Sequence, residues 1–267
     1  MTTLIAWIAV DDRGPSSLYM ASDSRITWGS AAKRWDVGRK LFACKRTPDI
    51  FGYVGDVLFP SLLLGQLIES ADVGLIPGFK GTSEERNAGL KNTVLNSLAH
   101  QHDAHRANFE ILHVSRNGDG MSSSFHVWRL SYSATTDSLN TVAVSVPTDR
   151  SRLIIALGSG ASQAKAHEYN LSIADQGRTS QSIFWSFCDA LNSKADPLTG
   201  GAPQLAGVYR RGNGKTFGVL YNHEYYFHDL PLKEDFFPNS VEWRDELFQV
   251  ISSDTGQIAS ESQRHAR

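Results

Sequence analysis

The clearest structural signal in the chain lies in residues 2–29, which read TTLIAWIAVDDRGPSSLYMASDSRITWG. The first part, Thr3 to Val10, is rich in β-branched and aromatic residues, and strand-like composition resumes from Ser17 to Ala21. Between the two parts stands a group of turn-forming residues, Asp12-Arg13-Gly14-Pro15. This stretch therefore predicts an antiparallel β-hairpin at the start of the fold.

The rest of the chain alternates between strand and helix patterns. A second hairpin is predicted over Lys40–Cys44 and Ile50–Val54, and the leucine spacing predicts helices over 57–71 and 84–105. We predict further strands at 109–114, 124–130, 140–146, 152–157, 205–210, 216–220 and 225–228, and helices at 162–174 and 180–193. This order predicts an α+β chain with two sheets packed face to face between helix layers.

The domain organisation follows from the length of 267 residues and from the absence of repeats or low-complexity linkers in the sequence. We expect one domain over residues 1–229, followed by a C-terminal extension over residues 230–267. In the extension the pattern predicts a helix from Val241 to Val250. The polar tail after it, which ends at Ser262 to Arg267, is predicted to be disordered.

Composition excludes several classes of protein. Lys plus Arg number 26 against 28 for Asp plus Glu, without a basic block, so nucleic-acid binding is not expected. The apolar stretch Leu4 to Val10 lacks the charged and cleavable parts of a signal peptide and is too short to span a membrane. Two cysteines, Cys44 and Cys188, give neither a disulfide framework nor a zinc site. We therefore expect a cytoplasmic protein that is not bound to a membrane.

The second residue offers nucleophilic chemistry. Removal of Met1, which a small second residue permits, would give Thr2 a hydroxyl and a free α-amine on one residue. A hydroxyl nucleophile needs a nearby base, and an α-amine has an ordinary pKa of ~7.7–8.0, close to working pH. Because small residues follow the initiator methionine in many cytosolic proteins, Thr2 alone does not establish a nucleophile.

Two charged residues would complete such a site. A lysine beside the nucleophile, oriented by a carboxylate, favours deprotonation of hydroxyl and amine through its positive charge. Asp23, after the second predicted strand, and Lys40, before the third, are candidates for that pair. Taken singly, each fits better as a turn carboxylate or a strand-edge charge.

Several segments, taken together, carry a family resemblance. They are Thr2-Thr3-Leu4-Ile5-Ala6, residues 21–29, Arg39-Lys40-Leu41, Gly52-Tyr53-Val54-Gly55, Leu157-Gly158-Ser159-Gly160 and Asp196-Pro197-Leu198-Thr199-Gly200-Gly201. In this order they resemble the catalytic proteasome β subunits. That family consists of N-terminal nucleophile hydrolases and includes the peptidase of the bacterial two-component ATP-dependent protease.

The resemblance implies a fold, an activity and a set of roles. The fold is a four-layer α-β-β-α sandwich with two mainly antiparallel sheets, and the activity is that of a threonine endopeptidase. The implied site consists of Thr2 as nucleophile with its α-amine as base, Lys40 to lower the pKa, Asp23 to hold Lys40, the Gly55 N–H as oxyanion hole, and Ser159, Asp196 and Thr199 around the amine. Thr199 stands where the family has serine, and it keeps the hydroxyl.

The resemblance also bears on partners. It implies a peptide or unfolded-protein substrate, assembly into a homo-oligomeric ring and an ATPase activator, with no metal or organic cofactor. The chain differs from the family in longer connections at 74–86 and 135–140 and in its C-terminal extension. We expect no propeptide before Thr2, as in the simpler bacterial relatives of the family. Two alternatives stay open: an amidase or acylase that uses Thr2 on a small molecule, and a structural ring subunit without catalysis.

A metal site is a weaker interpretation of one histidine cluster. His100, His102 and His105 lie close together near the end of the second predicted helix. Their spacing does not place three ligands on one helical face, and no cysteine assists. We therefore expect a solvated helix end there.

Overall fold

The computed structural model describes residues 2–173, 179–232, 240–252, 255 and 257–259. Its strands are β1 (Thr3–Asp11), β2 (Gly14–Ser22), β3 (Ile26–Trp28), β4 (Ser30–Trp35), β5 (Leu41–Ala43), β6 (Asp49–Gly55), β7 (Phe109–Asn117), β8 (Ser124–Ser133), β9 (Ser138–Val144), β10 (Arg152–Gly158), β11 (Gln204–Tyr209), β12 (Lys215–Tyr221), β13 (Glu224–Phe227), β14 (Leu230–Leu232), β15 (Trp243–Asp245) and β16 (Val250–Ile251). The helices are α1 (Leu58–Asp72), α2 (Ser83–Leu98), α3 (Ala161–Ile173) and α4 (Ser180–Asn192), with short 3-10 turns at Asp103–His105 and Gly120–Ser122.

The strands form two main sheets. In the first sheet the order is β10-β1-β2-β11-β12-β13-β14, with β15 and β16 attached through β12. In the second sheet the order is β5-β6-β7-β8-β9, and β3 and β4 form a separate hairpin. Neighbouring strands are antiparallel except for β12 and β15, which pair in parallel. Both predicted hairpins are confirmed, since β1 pairs with β2 and β5 pairs with β6.

The residue alternation in β1 shows how the layers arise. Successive side chains of a strand point to opposite faces. Leu4, Ala6 and Ile8 pack against residues of the second sheet, whereas Ile5 and Trp7 pack toward α3 and α4. Because both faces of β1 are apolar, the first sheet is covered on both sides.

Helices cover the outer faces of the two sheets. On the first sheet, Trp7 stacks on Phe184 of α4, with ring centroids 6.2 Å apart. On the second sheet, leucines of α1 and α2 share a core with Phe51 and Phe109. Helix α2 starts with a capping box between Thr82 and Glu85, which satisfies two backbone donors. The chain is therefore the four-layer α-β-β-α sandwich that the sequence predicts.

Several local features of the structure differ from the predictions. The hairpin of β3 and β4 was not predicted, and the second helix ends at Leu98 instead of residue 105. The predicted helix from Val241 to Val250 is wrong. Trp243 lies in a strand that pairs with Gly218 of β12, and Phe248 packs on Trp7, so tertiary contacts hold this segment extended.

The C-terminal predictions are tested only in part. The tail from Ser262 to Arg267 lies outside the described residues. The division into a domain up to residue 229 and an extension after it stays a prediction. No helix in the described part of the chain is both long and apolar enough to span a membrane.

Candidate active site

The first strand begins in a closely packed position. Thr2 and Thr3 are 1% and 2% exposed, and Thr3 pairs with Gly158 of β10. A β-carbon at Gly158 would stand 1.8 Å from the carbonyl oxygen of Thr2, and its φ of 88° also favours glycine. The Thr2 hydroxyl is buried and has no hydrogen-bond partner among the described residues. The start of β1 thus holds a buried, unpartnered hydroxyl.

Lys40 and Asp23 form an ion pair beside this strand. The Nζ of Lys40 lies 2.8 Å from the Oδ1 of Asp23, and both side chains are completely buried. Asp23 follows β2, which pairs with β1, and Lys40 directly precedes β5 of the opposite sheet. The ion pair therefore joins the two sheets at the end of the sandwich where β1 begins.

Asp23 receives hydrogen bonds from several segments. Its Oδ1 accepts the amide of Thr3 at 2.9 Å as well as the Lys40 ammonium. Its Oδ2 accepts the amides of Arg25 at 3.2 Å and Gly200 at 3.0 Å. Hydrogen bonds to an ionised acceptor are the strong ones. One carboxylate thus fixes the ammonium group against the backbone of β1.

Burial and hydrogen-bond acceptors together set the properties of the Lys40 ammonium group. Burial lowers the pKa of Lys40, and the charge of Asp23 opposes that effect. Its Nζ donates to the Asp23 Oδ1 and to the carbonyl oxygen of Arg25, which lies 2.6 Å away. An ammonium has three donors, and the third has no partner among the described residues. A cation with a spare donor near a hydroxyl favours the deprotonated form of that hydroxyl.

A second polar group joins the β10–α3 turn to the loop after α4. Ser159 and Thr199 both donate their hydroxyl hydrogens to the Asp196 Oδ2, at 2.6 and 2.8 Å. The Thr3 and Thr199 hydroxyl oxygens are 2.9 Å apart. Since Thr199 uses its only hydrogen on Asp196, the Thr3 hydroxyl is the donor of that pair. The group therefore contacts the start of β1 through Thr3.

The charge of Asp196 is held by hydrogen bonds. Burial raises the pKa of its carboxyl, but donors from Ser159, from the backbone of Leu198 and from Thr199 outweigh burial and lower it. The Leu198 amide donates to the Asp196 Oδ1 at 3.0 Å, which closes a tight turn. Asp196 is therefore an ionised acceptor in this cluster.

Gly55 lies at the same end of the sandwich, in the sheet that faces β1. Strand β6 passes close to β1 at Gly52, where a β-carbon would lie 2.9 Å from the Cδ1 of Leu4. Since Leu41 pairs with Gly52 in antiparallel register, β6 continues from Gly52 toward the Lys40 end. Gly55 ends that strand with a φ of 94°.

Arg25 is a site residue that the sequence reasoning missed. Its guanidinium binds both oxygens of Asp36, at 2.7 and 2.9 Å, and donates to the carbonyl oxygens of Pro197 and Thr199. Arg25 thus ties the β3–β4 hairpin to the loop that carries Asp196. Its position directly after Asp23-Ser24 was visible in the sequence, but its partner Asp36 depends on the unpredicted hairpin.

Gln204 is a second missed residue. Its Oε1 accepts the amides of Lys40 at 2.9 Å and Leu41 at 3.1 Å, and its Nε2 donates to the carbonyl oxygen of Gly38 at 2.8 Å. A buried amide that makes these bonds fixes the backbone from which the Lys40 side chain starts. A lone glutamine at the start of a strand gave no signal in the sequence.

The predicted site residues thus form two groups joined by side-chain hydrogen bonds, and two further residues belong to neither group. Asp23 pairs with Lys40, while Ser159, Asp196 and Thr199 form the second group. Thr2 and Gly55 lie at the same end of the sandwich. In the part of the chain that the structure describes, no group of three His, Cys, Asp or Glu side chains is placed to hold a metal ion.

Comparisons with known proteins identify the fold. No protein-family model matches the chain, and no curated protein matches its sequence. Among solved structures, Anbu (ancestral beta-subunit) from Yersinia bercovieri is similar, with a TM-score of 0.53 and 12% identity over 80% of this chain and 86% of that chain. Eukaryotic HslV from Trypanosoma brucei has a TM-score of 0.47 and 14% identity over 77% of this chain and 99% of that chain. At 12% identity the likeness to Anbu concerns the fold alone, and it agrees with the α-β-β-α sandwich.

Proposed function

We propose that the protein is a threonine peptidase whose nucleophile is Thr2, exposed by removal of Met1. One observation carries the proposal: the Lys40 ammonium and the Thr3 amide donate to the same oxygen of Asp23. A buried cation is thereby fixed at the start of β1, beside the amide that follows Thr2, and the Thr2 hydroxyl has no hydrogen-bond partner among the described residues.

The proposed reaction uses the chain's own groups. The Thr2 Oγ1 attacks a peptide carbonyl, its α-amine takes the hydroxyl proton, and the same proton passes to the leaving amine. Water then hydrolyses the acyl-enzyme ester and regenerates the hydroxyl. Lys40 favours the deprotonated hydroxyl and amine, and the Gly55 N–H stabilises the oxyanion. Ser159, Asp196 and Thr199 orient the amine.

Burial sets one requirement on this reaction. Thr2 is 1% exposed in the full chain. A retained Met1 would also convert the proposed base into an amide, which accepts no proton at neutral pH. The proposed activity therefore requires that Met1 be removed and that a substrate carbonyl then reach the Thr2 hydroxyl.

A peptide epoxyketone tests the chemistry, because its double adduct needs a hydroxyl and a free amine on one residue. We expect intact mass to show loss of Met1 and one adduct, which peptide mapping places on Thr2. Thr2→Ala abolishes the adduct, and Thr2→Ser, which keeps both groups, retains it. A processed and folded protein that forms no adduct would contradict the proposal. An adduct without cleavage of peptides would favour an amidase that acts on small molecules.

We further propose that the protein is cytoplasmic and assembles into a homo-oligomeric ring, with an ATPase as activator. Apolar side chains on its surface support assembly: Leu58 and Leu62, one turn apart on α1, are 63% and 60% exposed. Trp28 and Trp35 of the β3–β4 hairpin are also exposed. Large exposed apolar side chains mark interaction surfaces when they cluster. Light scattering after gel filtration tests the assembly, and a monomer at micromolar concentration would contradict it.

A further inference from the structure

A second buried carboxyl, that of Asp229, lies close enough to Lys40 for the two charges to interact. The β13–β14 hairpin turns through His228 and Asp229, whose φ values of 50° and 65° fit a two-residue turn between Phe227 and Leu230. Turn side chains usually face water, yet Asp229 is 2% exposed. Both of its carboxyl oxygens are buried and have no hydrogen-bond partner among the described residues. Burying a carboxyl group without a hydrogen-bond partner costs free energy, more so if the group is ionised.

The surroundings of Asp229 come from several elements. Lys40, before β5, and Asp23, after β2, are the charged groups that act on it, and the polar side chains of Ser24 and Gln204 also face it. The other titratable groups of its own hairpin are the Glu224 carboxyl, the phenols of Tyr225 and Tyr226, and His228. Asp229 thus belongs to the Lys40 site, although it lies far along the chain.

The charges of this site favour a neutral Asp229. Burial raises the pKa of Asp229 well above its ordinary value, Lys40 opposes the rise, and Asp23 adds to it. When two buried acids share one buried base, the state with one ion pair and one neutral acid has a lower free energy than the state with both acids ionised. The Lys40–Asp23 pair already supplies the ion pair.

Among the described residues, one donor of the Lys40 ammonium, the Thr2 hydroxyl and the Asp229 carboxyl all have no hydrogen-bond partner. The Asp23 oxygen that binds Lys40 also binds the amide that directly follows Thr2. We propose that Asp229 is a positioning residue for Lys40: as a neutral acid it leaves the third ammonium donor to the Thr2 hydroxyl, and as a carboxylate it takes that donor. This inference rests on the proposed function in one respect, the role of Thr2 as nucleophile.

Asp229 lies at the wall of a cavity. Asp229 lines a cavity of about 670 Å³ together with Tyr226, Glu224 and Thr199. The Lys40 and Asp23 side chains are completely enclosed. Of Asp23, Lys40 and Asp229, Asp229 is therefore the residue that lies at the cavity wall.

The first test follows the rate at which a peptide epoxyketone modifies Thr2 as a function of pH. In the wild-type protein the rate rises as the Thr2 amine loses its proton and falls as Asp229 ionises. Asp229→Asn mimics the neutral acid and moves the fall to higher pH. At the alkaline end the variant should react about tenfold faster than wild type, as expected for one nearby charge. Superimposable profiles would overturn the inference.

Two further variants sharpen this test. Glu224→Gln removes a carboxylate from the same hairpin at an exposed position, so it should keep the wild-type profile. If it shifts the profile as Asp229→Asn does, the effect is one of general charge and the inference fails. Asparagine suits the left-handed backbone of the turn. Should Asp229→Asn not fold, Asp229→Gly, which also suits a φ of 65°, removes the acid and should show the same shift.

A spectroscopic readout separates this inference from the proposed function. With ¹⁵N-labelled lysine, the Lys40 side-chain resonance should move over the pH range in which an infrared carboxylic-acid band disappears. Both changes should be lost in Asp229→Asn. A wild-type Lys40 resonance that does not move overturns the inference. If the resonance moves as expected but Thr2 forms no adduct at any pH, the proposed function is overturned. The inference that Asp229 positions the Lys40 ammonium then still holds.

Discussion

The Nζ of Lys40 and the Oδ1 of Asp23 lie 2.8 Å apart with both side chains fully enclosed by protein. Desolvation makes such a pair expensive to bury, so its net stabilisation is small as long as both partners are present. The position of the pair between the two sheets matters more for the site than its contribution to stability. It fixes a charge at the end of the sandwich where β1 begins.

Lys40→Met should therefore destabilise the fold strongly, because it leaves Asp23 as an uncompensated buried charge. Breaking one partner of a buried pair typically costs about 3–5 kcal/mol. Urea unfolding measures this loss as a lower midpoint at unchanged slope. In the double variant Lys40→Met with Asp23→Asn no charge is left unpaired and the asparagine oxygen still accepts the Thr3 amide, so it should be more stable than the single variant.

A surface pair provides the control for this experiment. The Nη2 of Arg13 lies 3.8 Å from the Oδ2 of Asp11, and the Arg13 side chain is largely exposed. Exposed pairs contribute about 0–1 kcal/mol. Arg13→Met should therefore stay within that range, and a Lys40→Met variant equally close to wild type would contradict a buried, paired Lys40.

Gly158→Ala should prevent correct packing of the start of β1. A β-carbon there would collide with the carbonyl oxygen of Thr2, a backbone atom that cannot rotate away, and the φ of 88° adds strain. Gly14→Ala is the matched control, since Gly14 has a φ of 99° but no atom within 4 Å of the added carbon. The clash is the difference between the two variants. Equal losses in urea unfolding would show that Thr2 does not lie against Gly158.

The layers of the fold could be predicted because they follow from local patterns. The apolar faces of β1, the turn at Gly14 and the leucine spacing of α1 are all visible within short windows. The β15 strand could not be predicted, because Trp243 is held by its pairing with Gly218, a contact that no local pattern encodes. The local pattern predicted a helix from Val241 to Val250, but strand pairing in the folded chain outweighs that local preference.

The candidate site was accessible from the sequence only through the family resemblance. Asp23 and Lys40, taken singly, look like an ordinary turn residue and a strand-edge charge. The resemblance predicted their roles but not the contacts of Arg25 and Gln204, which depend on loops that meet only in the folded chain. Asp229 was missed for a further reason: it sits in a hairpin turn, where acidic side chains usually face water, and its burial arises only in the folded chain.

His228 should make stability depend on pH. Burial lowers the pKa of His228 to about 4, and the charges of Arg39 and Lys45 act in the same direction. An unfolded histidine has a pKa of about 6.5, so as pH falls the unfolded chain takes up a proton before the folded chain does. Stability is therefore lost between pH ~6.5 and ~4 and levels off below, with a total of at most about 3 kcal/mol.

His228→Asn should flatten this dependence in urea unfolding carried out across that pH range. His223→Asn is the control, because His223 is exposed and has the same left-handed backbone, with a φ of 65°. Asparagine tolerates that conformation in both turns. If His228→Asn shows the same acid loss as wild type, the loss arises from other groups and His228 is not neutral in the folded state.

Thr199→Val should weaken the second polar group without changing its shape. The substitution removes the hydroxyl that donates to Asp196 and accepts from Thr3, so the buried Thr3 hydroxyl loses its acceptor and the half-buried Asp196 loses one of its donors. An unsatisfied buried group costs about 1–3 kcal/mol, and we expect a destabilisation of that order in urea unfolding. Thr199→Ser keeps the hydroxyl and should stay much closer to wild type. Equal stabilities of the valine and serine variants would mean that the hydroxyl bridge between Thr3 and Asp196 does not form in solution.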